Sequence, residues 1–483
     1  MEGHIDQSET ELIGKQNLTY PDRWSSLVPK LKHILHCAVM LWIIGLCIGQ
    51  SVKVGYGVLT KAGNFNDDLD PFEAYGTYFT IILYTPRFLA ASVMPFIIFS
   101  FCGLFFFNCF NEKVSLRCCP SQAPSLCFRI VTRGYYPDLV SRNVLRNLEM
   151  CLQEKLGDFA IEVITDNPID GLLEHSKVKE FVVPSEYQTC KGSLFKSRAL
   201  QYALEKDTRL LKDYDYIVHL DEETLLTRNS IHGILNFTTD GKHPIGQGVI
   251  TYASGSVINW ISTLQDSIRV ADDIGRLKFQ FRVFHKPLYG LKGSFLVINS
   301  KVEHDVSFDH GPDGSVAEDT FFAMIAFKKG YSFDFIEGEM HEKSPFTLTD
   351  LLKQRKRWIQ GSILVAHSSE IPLKNKFLFV LLLYSILLSP ITILGNIVSL
   401  FYPLLNNRLI GLNIMTAFIT AMTVYTSIFG IVKSYSLKEI SIWHFLLGIF
   451  GILCLLPFNL ILTAICVLQS LIGDKYTYQI VQK

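Results

Sequence analysis

Three consecutive carboxylates, Asp221, Glu222 and Glu223, follow the apolar run Tyr214-Asp-Tyr-Ile-Val218 in the stretch His219-Leu-Asp-Glu-Glu-Thr224. Such a run reads as a strand, and ligands of open α/β sheets gather at the carboxyl ends of strands. Residues two apart on an extended segment project the same way, so Asp221 and Glu223 share one face. Oxygen ligands in that arrangement suit Mg²⁺ or Mn²⁺, which neutralises a departing diphosphate. Taken alone, the same acids also make a solvated turn or a helix cap.

Further stretches carry chemistry. Asp166 closes Val163-Ile-Thr-Asp-Asn167, where a carboxylate accepts hydrogen bonds from a base or ribose, or else forms an Asp-Asn-Pro turn. Lys196 and Arg198 stand at a helix start, where basic groups add to the amide donors that hold phosphates; the plain alternative is a solvated basic patch. Ala317-Glu-Asp-Thr320 opens a helix. An acid there, near a second acidic cluster and an anionic donor, holds its proton tightly and suits general-base work near neutral pH. The helix macrodipole alone also favours acids in a first turn. In Gln354-Arg-Lys-Arg-Trp358, helical spacing puts Gln354, Arg357 and Trp358 on one face. Arg357 can grip a diphosphate bidentately and Trp358 offers a platform for a sugar ring, while Arg355 and Lys356 suit anionic lipid. Gly290-Leu-Lys-Gly293 supplies a tight turn before a strand.

These residues need a scaffold, and composition bounds it. The chain has 483 residues, 49% of them hydrophobic, and a formal net charge of zero, so membrane segments are expected and a nucleic-acid partner is not. The eleven cysteines show no zinc-site spacing. Residues 1–33 read as a polar cytosolic tail and residues 34–110 as two spans, Ile34–Val58 and a second starting near Phe88, around an acidic loop with Asp67, Asp68, Asp70 and Glu73. Lys and Arg before the first span and after the second place the tail and the central region in the cytosol.

Residues 111–345 alternate short β-branched runs with helical patterns, which predicts an α/β domain with a mostly parallel sheet. Its strands are expected at Phe128–Thr132, Ile161–Thr165, Phe181–Val183, Tyr216–Leu220, Gln247–Tyr252, Phe295–Ile298 and Ser332–Ile336. Residues 346–370 read as an amphipathic interfacial helix opened by Thr347 as N-cap, with Asp350 three residues on. Residues 371–473 supply three spans, or four if Pro457 turns the last into a re-entrant hairpin, and 474–483 a tail.

Taken in order, Asp166, Lys196-Ser-Arg-Ala-Leu200, Asp221-Glu-Glu223, Glu318-Asp319 and Gln354-Arg-Lys-Arg-Trp358 resemble the family 2 glycosyltransferases, which include cellulose, chitin and hyaluronan synthases. A closer likeness runs nearly end to end and is carried by Val131-Thr-Arg-Gly134, His219-Leu-Asp-Glu-Glu-Thr-Leu-Leu226, Gly241-Lys-His-Pro244, Asp313-Gly-Ser-Val-Ala-Glu-Asp319 and Glu337-Gly-Glu-Met-His-Glu-Lys-Ser-Pro-Phe346. Those segments resemble the invertebrate β-1,4-mannosyltransferases.

The resemblance implies a GT-A (Rossmann-like) domain on the cytosolic side, inserted between transmembrane helices, with a divalent metal (Mg or Mn) and inversion at the anomeric carbon. It implies GDP-mannose as donor and glucosylceramide as acceptor, in glycosphingolipid biosynthesis at an endoplasmic reticulum or Golgi membrane. The roles it implies are base for Asp319, metal ligands for Asp221 and Glu223 with Glu222 as a substitute, and donor binding for Asp166, Lys196, Arg198, Gln354 and Arg357. Trp358, Glu318 and Gly293 fall on the acceptor side.

The chain departs from the wider pattern where Glu223 replaces an Asp, Ala317 replaces a Thr, and Thr132-Arg-Gly134 replaces a Pro-x-Tyr-Asn entry. The alternatives are a processive polysaccharide synthase or, from another class, a silent membrane scaffold or a transporter. A transporter needs ionisable groups inside its spans, for which Arg87 is the candidate. Asn17-Leu-Thr19 and Asn236-Phe-Thr238 match the glycosylation pattern but fall on the expected cytosolic side, so they are expected to be unmodified.

Overall fold

The computed structural model describes residues 23–55, 70–111, 113–205, 214–255, 257–402, 404, 409–435, 440–473 and 476. The tail up to residue 22 with Asn17, the loop acids Asp67 and Asp68, and most of the C-terminal tail lie outside them.

All seven expected strands form: β1 (Leu126–Thr132), β2 (Phe159–Thr165), β3 (Val178–Val182), β4 (Tyr216–Leu220), β5 (Ile245–Thr251), β6 (Leu296–Asn299) and β7 (Phe333–His341). They build one sheet in the order β3-β2-β1-β4-β6-β5-β7. Pairing is parallel except at β6, which runs antiparallel to β4 and β5. The sheet is therefore mixed. The reversal has a consequence for the site: β6 brings its amino end, and the loop before it, to the edge where β4, β5 and β7 finish. The chain winds outward from β1 to β3 and then returns to β4, so the crevice between β1 and β4 is the topological switch point.

Helices α5 (Pro137–Gln153), α6 (Phe195–Leu204), α7 (Arg228–Asp240), α8 (Trp260–Asp272), α9 (Ser300–Val306), α10 (Glu318–Lys328) and α11 (Leu348–His367) accompany the sheet. Local chemistry sets their ends. The Thr227 side chain accepts from the Ser230 amide while Ser230 bonds back to Thr227, and Gly241 closes α7 in the left-handed region at φ 56°. Thr347 caps α11 by accepting from the Asp350 amide, as its spacing predicts. α8 continues into two π-helical turns, Asp273–Leu277 and Gln280–Phe284.

The apolar segments form α1 (Arg23–Gly55), α3 (Thr77–Ala91) running into α4 (Met94–Phe106), α12 (Leu373–Leu387) with α13 (Ser389–Phe401), α14 (Ile410–Ser434) and α15 (Ile442–Leu471); α2 (Pro71–Tyr75) is a short lead-in. Among the described residues four helices are long and apolar enough to cross a membrane, and α12 with α13, bent by 47°, makes a fifth if counted as one span. Trp42 and Trp443 stand 64% and 77% exposed on these helices, an apolar surface that water would not leave uncovered. This is a membrane protein.

Three expectations shift. The second span is helical from Thr77, well before Phe88, so Arg87 lies inside it and donates to Leu404 O and Asn413 Oδ1, each at 3.3 Å. Pro457 sits within one unbroken helix rather than a hairpin. The end of the N-terminal tail, from Arg23, is already part of α1.

The membrane helices dock on α8 and its π-helical continuation through glycines. A Cβ on Gly103 of α4 would lie 1.9 Å from Gly275 O, and one on Gly430 of α14 would lie 2.2 Å from Ser267 O. Backbone blocks both, so no rotamer change relieves the clash. We expect Gly103→Ala to cost about 1–3 kcal/mol, as overpacking does, read as a lower thermal midpoint of the detergent-purified protein. An unchanged midpoint would show that this contact does not hold the two parts together.

Candidate active site

The switch-point crevice opens into a cleft of about 130 Å³, with Thr132, Asp166, Lys196, Asp221, Glu223 and Arg357 among its walls. Strand register sets its walls. β1 pairs Thr132 with Thr165 and Ile130 with Leu220, so the residues after three strands, at Arg133, Asp166 and Asp221, arrive at one edge. Below them a buried polar row fixes that register. Arg129 Nε and Nη1 bond Glu162 and Glu303, each at 3.0 Å, and His219 Nε2 meets the other Glu303 oxygen at 2.6 Å.

At the carboxyl end of β4, Asp221 is half-buried and Glu223 is buried. Their companion is Glu342, just past β7: one oxygen from each of Asp221, Glu223 and Glu342 lies within 4.8 Å of the others. Three carboxylate oxygens at that spacing fit a hard divalent cation such as Mg²⁺ or Mn²⁺. Glu342 is held by the Thr224 hydroxyl at 2.7 Å, and Thr224 also contacts Ser294, at 2.8 Å. Glu222 turns aside, accepting from the Thr132 hydroxyl. The sequence reading missed Glu342, although its place after a strand, like that of Asp221, was a usable signal.

Lys196 Nζ reaches Asp221 at 2.5 Å and Glu318 at 3.6 Å, joining α6, β4 and α10. Asp319 opens α10 beside them. Burial first, then the Glu318 carboxylate, pushes Asp319 up to about 7, against the opposing pull of Lys196. Gly293 comes against it, since a Cβ there would meet Asp319 Oδ2 at 3.3 Å and Lys196 Nζ at 3.5 Å. Ala317, in place of the wider family's Thr, faces Gly361 of α11, whose Cβ would lie 2.7 Å from the Ala317 methyl.

Gln354 and Arg357 line the cleft, and the buried Gln354 Oε1 has no hydrogen-bond partner among the described residues. Asp166 is on the wall, but Arg198 is not: it grips Asp166 at 2.8 Å and bonds the Pro184 and Tyr187 carbonyls, so here it braces the acid. Trp358 is separated from its helical neighbours' cleft. The Arg269 and Arg355 guanidinium groups lie 4.5 and 5.0 Å from its ring centre, and Arg355 also pairs with Asp266 at 3.1 Å. Arg133, Tyr135 and Tyr136 complete the far end, unforeseen from the sequence. There Gly134, at φ 75°, lets the loop after β1 close on Asn167.

Basic groups on the cleft wall (Arg133, Lys196 and Arg357), an acidic cation cradle and a half-buried carboxylate with a raised pKa are the parts of a group-transfer enzyme acting on a nucleotide-activated substrate. Residues 216–465 match the family described as Glycosyl transferase family group 2, and the chain belongs to that family: it is a glycosyltransferase whose catalytic domain is built on the mixed α/β sheet described above.

The chain is 49% identical over 452 residues to Beta-1,4-mannosyltransferase egh of Drosophila melanogaster, covering 94% of this chain and 97% of that one. It is 47% identical over 456 residues to Beta-1,4-mannosyltransferase bre-3 of Caenorhabditis elegans, covering 94% and 98%. The solved mannosyltransferase PcManGT from Pyrobaculum calidifontis, in complex with GDP-Man and Mn²⁺, superposes with a TM-score of 0.46 at 13% identity, covering 81% and 96%. The curated relatives and the family support mannosyl transfer.

If Glu342 is a ligand, Glu342→Gln weakens Mn²⁺ binding by on the order of tenfold or more, since loss of outer partners alone brings that much. Titration of Mn²⁺ in the presence of GDP measures it. Unchanged affinity removes Glu342 from the set.

Proposed function

We propose that the protein transfers mannose from GDP-mannose to the glucose of glucosylceramide, making a β-1,4 bond, at the cytosolic face of an endoplasmic reticulum or Golgi membrane. The observation that carries the chemistry is Asp319, a half-buried carboxylate whose pKa is raised to about 7, separated from the cation cradle by the Lys196 ammonium. The names of the relatives support the sugar, and the glycolipid acceptor rests on the resemblance in sequence. Lys30, Lys32, Lys113 and Arg117, which flank the first spans, support the orientation.

Asp221, Glu223 and Glu342 would hold Mg²⁺ or Mn²⁺, whose chemistry there is to neutralise the diphosphate. Asp166, with Arg198 behind it, receives the nucleoside end. Arg357 and Gln354 grip the diphosphate from α11, where the open Gln354 Oε1 awaits a donor such as a sugar hydroxyl. Asp319 accepts the proton of the acceptor hydroxyl as its oxygen bonds to the anomeric carbon from the face opposite the diphosphate. The bond from that carbon to the diphosphate oxygen breaks, and its electron pair leaves with GDP. Gly293, Glu318 and Trp358 border the acceptor side. An acceptor anchored in lipid needs its sugar at the bilayer surface only, which suits a domain docked against membrane helices.

Asp319→Asn should lower kcat by about 10²–10⁴-fold with donor binding kept, the usual worth of a general base. Near-wild-type transfer by this variant would remove Asp319 as base. Because the carboxylate must be ionised and its pKa is raised to about 7, kcat/KM should fall as pH drops below about 7 and level off above it. A profile flat down to pH 5 argues for another base. Release of GDP from GDP-mannose with glucosylceramide, set against UDP-sugars, tests the donor directly, and turnover only with a UDP-sugar overturns it.

A further inference from the structure

Where the catalytic domain meets the membrane helices, a cavity of about 830 Å³ opens that shares no lining residue with the catalytic cleft, and its size falls within the ~300–1,000 Å³ usual for small-molecule sites. The periodicity of three elements builds its walls. Phe335, Glu337, Glu339 and His341, at alternate positions of the edge strand β7, face it together. On α1, Lys32, Leu35, His36 and Val39 fall at i, i+3, i+4 and i+7, which is one helical face. The same spacing on α14 brings Tyr425, Ile428, Phe429 and Val432, followed by Lys433. The two helices meet through His36 and Phe429, whose ring centres are 4.8 Å apart.

The lining divides into a charged part and an apolar part. Lys32, Lys278 and Lys433 stand against Glu337 and Glu339, which leaves a net positive charge when the histidines are counted neutral. Both carboxylates are engaged within the protein: Glu337 meets Lys278 at 2.9 Å and Arg282 at 3.4 Å, and Glu339 accepts from the Asn229 amide at 3.1 Å. Lys433 lies 5.2 Å from the centre of the Phe110 ring, itself part of the wall. The rest of the lining includes Leu35, Val39, Ile428, Val432 and Phe445. Leu35 is 65% exposed and its neighbour Ile34 63%, so the apolar wall runs on into the outer surface of α1.

This division selects the ligand. A soluble anion leaves the apolar wall uncovered, and an uncharged lipid makes no use of the excess positive charge. Basic pockets between membrane helices take the headgroups of acidic lipids, which satisfy both parts at once. We propose that the cavity holds one anionic phospholipid from the leaflet on the catalytic domain's side, its phosphate against Lys32 and Lys433 and its acyl chains along the faces of α1 and α14. The lipid packs against the end of β7, where His341 exchanges backbone hydrogen bonds with Leu225 at 2.8 and 3.0 Å and Glu342 of the cation cradle follows directly. The site does not depend on which donor or acceptor the enzyme uses.

The test uses the full chain in nanodiscs of equal parts phosphatidylcholine and phosphatidylserine, with native mass spectrometry counting the lipids that stay bound on release. One phosphatidylserine per chain is expected, held in preference to phosphatidylcholine. Lys433→Ala and Lys32→Ala should each lower its retention about fivefold, the worth of one lysine beside an acidic lipid. Lys32 is exposed, so its variant reports on binding even if Lys433→Ala fails to fold. Lys30→Ala is the control, because Lys30 is exposed on the same helix but does not line the cavity, and its loss should leave retention unchanged. Val39→Trp, which fills the apolar part, should lower retention as the lysine variants do.

Equal retention of the two lipids, or of neither, overturns the proposal. So does an equal loss on Lys30→Ala, which would show diffuse attraction between a basic helix end and an acidic membrane. Displacement of the lipid by inorganic phosphate would make the cavity a site for a soluble anion, and retention unmoved by Val39→Trp would place the lipid elsewhere; either result overturns the assignment.

Discussion

The site depends on holding a surplus of negative charge at one edge of a sheet. Asp221, Glu223, Glu342, Glu318 and Asp319 come from the ends of β4, β7 and the start of α10, and Lys196 is the cation placed among them. Two like charges 4 Å apart repel by about 4 kcal/mol at the effective dielectric of a protein surface, so such a cluster persists only with a cation to share. Lys196 offsets part of it. The remainder suits Asp221, Glu223 and Glu342 to a divalent ion, and it raises the Asp319 pKa to about 7. The cation cradle and the raised Asp319 pKa thus follow from a single electrostatic arrangement.

That arrangement needs strand ends placed to within a residue, because a one-residue slip sends every side chain to the other face. The buried row of Glu162, Arg129 and His219, one from each of three adjacent strands, with Glu303 beneath, supplies the registration. Buried ion pairs add little net stability, but a slipped register would leave Arg129 buried and unpaired, a penalty of several kcal/mol. The antiparallel β6 completes the edge. Only by running backwards can it carry Gly293 and Ser294 to where Asp221 and Asp319 meet.

The same economy governs the membrane side. α8 and its π-helical continuation serve one face to α4 and α14 and the other to the catalytic interior. The glycines that permit this close approach pack the catalytic domain directly on the spans. Burying Asp273, Lys292 and Arg269 at that junction costs desolvation and is offset only in part by their mutual pairing.

Local chemistry was legible in the sequence. Strands announced themselves as short β-branched runs between turn signals, and Thr347 with Asp350 marked the start of α11, because caps and periodicity act within a few residues. The spacing that joins Gln354 to Arg357 was equally local. The sequence also determined the candidate acids and their order. What opposes each residue was not legible. Trp358 shares a helix with Arg357, yet it meets Arg269 from α8, and nothing in helical spacing encodes that neighbour. Glu342 joins Asp221 and Glu223 only because β7 lies beside β5 and Thr224 reaches across to it. The raised pKa of Asp319 is likewise a property of its burial and of the carboxylates around it, not of its residue type. Ligand sets and pKa values depend on distances between segments far apart in the chain, and only the folded sheet and its docked helices set those distances.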